Sequence, residues 1–158
     1  ITAETIEQVK QKLLSEGAIQ KAVAEKINDE SIVKFFESQL GQTVINAQPA
    51  VWREWPFSFA VPADVVGDLP ILAKNGMQSA NDETIIVQGI IDLLVQTQEG
   101  LLVIDFKTDN VTAKETTQRA ELYRQQLDFY GKAAEKILKR KVAGKWLYFL
   151  RPGCAVCV

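Results

Sequence analysis

Two short apolar runs that read as strands are each broken by charge at positions where a sheet would normally bury side chains. In Val87-Gln88-Gly89-Ile90-Ile91-Asp92-Leu93-Leu94-Val95 the one formal charge is Asp92, and Leu101-Leu102-Val103-Ile104-Asp105-Phe106-Lys107 ends on an acid and an amine. Side chains alternate between the faces of a strand, so Leu101, Val103, Asp105 and Lys107 share one face and Leu102, Ile104 and Phe106 the other. By the same rule Asp92 shares a face with Gln88, Ile90 and Leu94. Gln98-Glu99-Gly100 turns between the two runs, which makes them neighbours in an antiparallel hairpin. In matching register, Asp92 and Asp105 converge near one end of the sheet.

That convergence carries a chemical expectation. Two neighbouring carboxylates repel each other, which invites a hard divalent cation between them. Glu54, on the polar side of an upstream strand, is a candidate third oxygen ligand. Carboxylates and water suit Mg²⁺ or Mn²⁺. Such an ion lowers the pKa of water and stabilises charge on a phosphoryl oxygen. Lys107 beside it would orient the attacking water or stabilise the developing charge. Taken singly, each residue has a plainer explanation: an isolated strand Asp as a bulge or buried hydrogen-bonded group, Asp105 and Lys107 as a self-contained pair, Glu54 as an exposed charge. Two apolar strands interrupted by acid, one of them ending in Asp-x-Lys, are harder to explain by packing alone.

The rest of the chain frames this hairpin. Ile6, Val9, Leu13 and Leu14 recur at helical spacing and Gly17 stops that run; Ile19, Ala22, Val23 and Ile27 repeat the pattern. A third helix is expected from Ser31 to Leu40, with Ser31 as cap and Gly41 as terminator. The period then changes. Trp55, Phe57 and Phe59 alternate along a strand beginning near Val51, with Glu54, Pro56 and Ser58 on the opposite face, and Pro56 marks an edge or a bulge. Residues 62–83 hold two Pro, two Gly, two Asn and three Asp and read as a long connection with weak internal order. Strands follow from about Thr84 to Gln96 and from Leu101 to Lys107.

Thr112-Ala113-Lys114-Glu115 reads as a capping box opening one long helix. Its apolar stripe runs through Ala120, Tyr123, Leu127, Tyr130, Ala134 and Ile137 or Leu138. Gly144 marks a turn and Trp146 to Leu150 a last strand, reached by a crossover from the third. The fold class is α/β, a mixed sheet flanked by helices. It is one domain, with a helical segment over 1–41 packing on a core over 42–158.

Composition sets limits. The 158 residues, 47% apolar and 24% charged, suit a single globular core. No apolar run approaches the roughly 18 residues of a membrane span. Net charge is −2, so there is no global nucleic-acid signature, yet residues 114–141 hold eight Lys or Arg against four Asp or Glu. That stretch suits a solvated helix face or a phosphate-facing one. Cys154 and Cys157, with no His anywhere, are too few for a zinc site and are expected as strand positions in a reducing, cytoplasmic setting. A first residue other than Met and an apolar strand at the end point to an excised piece of a longer chain.

These residues resemble the PD-(D/E)XK nuclease superfamily, and within it the RecB-type nuclease domain. Gly89 to Asp92 matches the G-x-x-D strand. Val103-Ile104-Asp105-Phe106-Lys107-Thr108-Asp109 matches the aspartate-aromatic-lysine-threonine strand. Gln126 and Tyr130 match the Q-x-x-x-Y helix, and Glu54-Trp55-Pro56-Phe57 resembles the upstream glutamate motif. The resemblance covers about residues 50–150 and is nearest to the C-terminal nuclease domains of AddA (RexA)-type chains of helicase/nucleases. It implies a restriction-endonuclease-like core and Mg²⁺-dependent cutting of DNA, with Mn²⁺ as substitute. Asp92 and Asp105 would bind metal, Lys107 would be catalytic and Glu54 would assist. Gln126, Tyr130, Tyr123 and Thr108 would shape the site or contact DNA. The implied partners are DNA, a helicase region of the same parent chain and a second chain of AddB/RexB type. The implied role is double-strand-break repair.

The pattern departs from the family in two ways. The usual upstream metal-associated His is missing, which puts the activity of the isolated piece in question. The two cysteines are too few for the iron–sulfur cluster of the AddB type, so no cluster is expected. Nor is there a Walker A loop, so no ATP site is expected in this segment. The competing readings are a catalytically silent DNA-binding or scaffolding domain of the same fold and a standalone PD-(D/E)XK exonuclease.

Overall fold

A computed structural model describes residues 1–62 and 84–158. Four helices come first: α1 (Ala3–Ser15), α2 (Lys21–Ala24), α3 (Asp29–Glu37) and α4 (Gln39–Asn46). Strands β1 (Val51–Pro62), β2 (Thr84–Gln96) and β3 (Leu101–Lys107) follow, then helices α5 (Thr116–Glu121) and α6 (Arg124–Leu138), and finally β4 (Val142–Phe149) and β5 (Cys154–Cys157). The expected weak order between the first two strands lies outside the described residues, apart from Pro62, which ends β1.

The sheet runs β1-β2-β3-β4-β5, with β3 and β4 parallel and every other pair antiparallel. The expected crossover is therefore present, and α5 and α6 form it. Helices cover both faces. Phe35, Leu40 and Val44 of α3 and α4 pack against Leu93, Val95, Ile104 and Tyr148. On the other face Ala133 and Ala134 of α6 meet Phe57, Ile91, Leu94 and Val103, and Leu127 meets Leu147 and Phe149. Alternation along β3 is as expected: Leu101 and Val103 face α6, Leu102, Ile104 and Phe106 face α3 and α4. Pro56 sits on β1, an edge strand, the place in a sheet where proline is tolerated.

Several boundaries differ from the sequence expectation. Asn28, not Ser31, caps α3, its side chain accepting from Ser31 N at 3.1 Å. Gly41 does not end that helix; it lies inside α4, which Ser38 caps by accepting from Gly41 N. A Cβ at Gly41 would collide with the Phe35 carbonyl oxygen, so glycine is there to let α4 cross the end of α3. The helical segment consequently runs to Asn46, past the expected division at 41. The single long helix after β3 is two, interrupted at Leu122 and Tyr123. Glu115 does bond Thr112, accepting from its N and Oγ1 at 2.8 and 2.6 Å, but this closes a turn ahead of α5. Gly144 lies within β4 at a register shift opposite Leu101 and Leu102, not in a turn; the terminal strand expected to hold the two cysteines is β5, paired antiparallel with β4.

Cys154 is half-buried and Cys157 exposed, both unpaired in β5. Among the described residues no helix is long and apolar enough to cross a membrane.

Candidate active site

The sheet divides where the acids stand. β2 and β3 pair over only four positions, ending at Leu93↔Ile104. Beyond that point β2 continues as a two-stranded ribbon with β1, while β3 continues beside β4. Carrying the β2–β3 register one step further sets Asp92 opposite Asp105. The β1–β2 register runs from Val51↔Val95 to Pro62↔Thr84 and skips only Glu54 and Asp92. The three acids thus occupy one row across three strands, at the fork.

The fork also explains why strict alternation fails there. Ile91 and Leu94 both pack toward α6, whereas Leu93 and Val95 pack toward α3 and α4. Ile90 and Gln88 are exposed. Asp92 therefore does not share a face with Leu94 as simple alternation predicts, because the strand shifts phase at Asp92 itself. On β1, Glu54 has φ 47°, a left-handed conformation that a side chain disfavours by about 1–2 kcal/mol. Its neighbours change sides accordingly, Val51 toward α3 and α4, Trp55 and Phe57 toward α6. Strain of this kind in a non-glycine residue persists where the surroundings enforce it, often at functional sites.

Asp92, Asp105 and Lys107 each have a defined partner. Asp92 Oδ2 accepts from Phe106 N at 2.9 Å, taking the place of a ladder carbonyl where the strands part. Asp105 is 3% exposed and its Oδ2 lies 2.6 Å from Lys107 Nζ. The Lys107 ammonium is the one charge that compensates this buried oxygen, which meets no other donor among the described residues. Burial pushes the Asp105 carboxyl above the usual carboxylate range; Lys107 pulls it back, and the nearby Asp92 charge adds to the rise.

Lys107 is held on three sides: by Asp105, by Gln126 Oε1, to which it donates at 3.1 Å, and by the Tyr123 ring, whose centroid is 4.0 Å away. Gln126 in turn donates to Tyr130 Oη at 2.8 Å, so the helix pair expected from i, i+4 spacing forms a relay behind the lysine. The Tyr130 ring also packs on Phe57, 5.6 Å between centroids, which accounts for its place in the apolar stripe.

Two supporting residues carried no role in the sequence reading. Asp109 accepts from Arg119 Nε at 2.6 Å and from Tyr123 Oη at 3.0 Å. Burial alone would raise the Asp109 pKa, but the Arg119 and Tyr123 bonds outweigh it and bring it down. This brace fixes the ring on which Lys107 rests. The available signal was an acid two residues past Lys107 and an Arg119/Tyr123 pair at i, i+4. Thr108 stands apart from this group, exposed and lining a separate cleft.

Glu54 and Asp92 line a cavity of about 690 Å³ on the α3 and α4 side, with Phe36, Ile45 and Phe106 among its walls. Among the described residues no three His, Cys, Asp or Glu side chains are grouped to hold a metal ion. Asp92 and Asp105 supply two. The all-oxygen donors, among them a buried Asp105 oxygen that meets only the Lys107 ammonium, fit a hard cation of the Mg²⁺ type, which keeps several waters and is commonly bound by one or two carboxylates.

Comparison with known proteins agrees with this geometry. The chain is 37% identical over 156 residues, 94% of its length, to the A chain of an ATP-dependent helicase/nuclease from Bacillus cytotoxicus. It is 30% identical over 154 residues, again 94% of its length, to the protein of the same name in Listeria monocytogenes. To that of Moorella thermoacetica it is 36% identical over 154 residues, 97% of its length. The chain spans 12% of the length of the first two relatives and 10% of the third. A family match extends from residue 3 to residue 155 and takes in the fork, its acids and the helix behind Lys107: the chain belongs to the PD-(D/E)XK nuclease superfamily.

Proposed function

We propose that this chain is a Mg²⁺-dependent DNA nuclease domain, an exonuclease, that hydrolyses phosphodiester bonds within an ATP-dependent helicase/nuclease acting in double-strand-break repair. On this reading its partners are DNA, the helicase region of its own parent chain and a second chain of AddB/RexB type, in the cytoplasm. Mn²⁺ can replace Mg²⁺, and neither ATP nor an iron–sulfur cluster binds here. The observation that carries the reading is the meeting of Asp92, Asp105 and Lys107 at the fork between β2 and β3. The names of the relatives add support for the assembly.

Asp92 and Asp105 would hold the cation, with Glu54 on the same row reaching it directly or through water. When bound, the cation supplies positive charge against the phosphoryl oxygens and favours deprotonation of water. Water attacks phosphorus in line and the sugar oxygen leaves. Lys107 places its ammonium against charge that builds on the phosphoryl group, where a preorganised donor acts most strongly. Gln126 and Tyr123 hold that ammonium in place, so its orientation is set before substrate arrives. Tyr130 fixes Gln126.

The test is cutting of single-stranded DNA by the full-length protein with Mg²⁺ or Mn²⁺, beside its Asp105→Ala variant. The variant is expected to be silent; equal cutting by the two would remove the assignment.

Asp92 has two separable duties. Asp92→Ala strips Phe106 N of its acceptor and is expected to cost about 1–3 kcal/mol in urea unfolding. Asp92→Asn keeps an acceptor oxygen and is expected to unfold within about 1 kcal/mol of the parent. Both variants are expected to lose Mn²⁺ binding in a calorimetric titration. Retained binding in Asp92→Ala would move the cation elsewhere.

A further inference from the structure

The crevice outside the carboxyl ends of parallel strands is where open α/β sheets take their ligands. Here β3 and β4 are the parallel pair, aligned to Lys107↔Phe149, and the chain continues from them into Thr108 and Leu150. A cleft of about 930 Å³ opens at that place. Its polar lining is Lys26, Asn28, Ser31, Thr108, Asn110, Thr112 and Arg151, and no carboxylate lines it, the Glu115 carboxylate behind Thr112 being engaged by that residue's N and Oγ1. In a chain whose net charge is −2 that is a local reversal of sign.

The two cations are available. Among the described residues neither Lys26 nor Arg151 enters an ion pair, and Arg151 donates only to the neutral Asn110 Oδ1, at 3.1 Å. Of the acids that flank the cleft in sequence, Asp29 pairs with Lys10, Asp109 with Arg119 and Tyr123, and Glu25 with Lys21, while Glu30 is exposed and enters no ion pair among the described residues. Both cationic side chains are exposed, as are Asn28, Thr108 and Asn110. The cleft also adjoins the candidate active site. It starts one residue beyond Lys107, and it shares Ile32 and Leu150 as walls with the cavity that Glu54 and Asp92 line.

We infer that this cleft, between the segments after β3 and β4 and the start of α3, binds the sugar–phosphate backbone of a single strand leading to or from Asp92, Asp105 and Lys107. The inference rests on the nuclease reading for its direction, and it adds a binding site to it. Two cations set among neutral amides and hydroxyls offer partners to phosphate oxygens, and such contacts position a strand without reading its bases. Thr108, on this account, is a backbone contact.

The experiment measures binding of a fluorescein-labelled oligothymidylate to the 158-residue chain by anisotropy, in EDTA, across a range of salt. Binding that weakens steeply with salt is expected. The double variant Lys26→Gln, Arg151→Gln is expected to bind several-fold more weakly, with a log–log salt slope shallower by about 1.4, because each single-strand phosphate contact contributes about 0.7. Lys12→Gln on the exposed side of α1 serves as control and is expected to keep the parent slope. Circular dichroism confirms that each chain is folded. A double variant that matches the control, or a folded parent chain that binds no oligonucleotide, overturns the inference.

The failure of the nuclease reading looks different. An intact full-length protein that never cuts DNA with Mg²⁺ or Mn²⁺, while its isolated domain shows the Lys26- and Arg151-dependent slope, keeps the cleft and discards the chemistry. Normal cutting by the full-length protein with an unchanged KM in the double variant discards the cleft and keeps the chemistry.

Discussion

Lys107→Ala is expected to slow phosphodiester cleavage by the full-length protein roughly 10²–10³-fold, the usual consequence of removing one preorganised donor from developing charge. Cation binding should survive. Lys107 is not an oxygen donor, and its removal frees Asp105 Oδ2, now 2.6 Å from the ammonium, for a metal. The signature is thus a fall in single-turnover rate at saturating Mg²⁺ with an undiminished Mn²⁺ isotherm, opposite in its second half to Asp105→Ala. Lys107→Arg should restore little. A guanidinium is planar and broad, and the position is enclosed by Asp105, Gln126 and the Tyr123 ring at 2.6, 3.1 and 4.0 Å. A Lys107→Ala enzyme that cuts at the parent rate would strip the lysine of its role and leave its three contacts as packing.

Leu127→Ala is expected to cost about 2–5 kcal/mol of stability, as buried Leu truncations generally do. Leu127 is fully buried, with Ala120, Leu147 and Phe149 around it, and it ties α6 to the β4 side of the sheet. The small neighbour Ala120 offers nothing to refill the space, which favours the upper part of the range. Its neighbour in sequence is Gln126, so a loosened α6 also displaces the group that holds Lys107. Both a lower unfolding midpoint and slower cutting are expected. Gln126→Ala, which removes the polar contact and leaves Leu127 in place, separates the two effects: cutting should fall with the midpoint nearly unchanged. A Leu127→Ala chain as stable as the parent would mean that α6 is held chiefly by Ala133 and Ala134 against the sheet.

The candidate residues were more legible in the sequence than the geometry that holds them. Asp92, Asp105 and Lys107 announced themselves as charges inside apolar strands, since no packing rule places them there. The hairpin turn at Gln98-Glu99-Gly100 then fixed which strands are neighbours, and β3 has the bounds its alternation predicts. The helix break at Leu122 and Tyr123 was not legible, because the apolar stripe runs through it without a change of period. Tyr123 is turned instead by contacts 14 and 16 residues back along the chain, to Asp109 and Lys107. Gly41 and Gly144 misled for a related reason: each reads locally as punctuation, but at Gly41 the Phe35 carbonyl of the preceding helix, and at Gly144 the Trp146 ring, stands where a Cβ would go.

By itself the sequence determined that two carboxylates and an amine would stand at one end of a sheet, because strand period and a short turn are local properties. Only the tertiary structure decided that the sheet forks at Asp92, that Glu54 sits in a left-handed backbone on the same row, and that Lys107 is fixed by Gln126 and by a ring braced from Asp109. Those features depend on contacts between segments far apart in the chain, where packing and hydrogen-bond satisfaction override local preference and leave no periodic trace in the residues themselves.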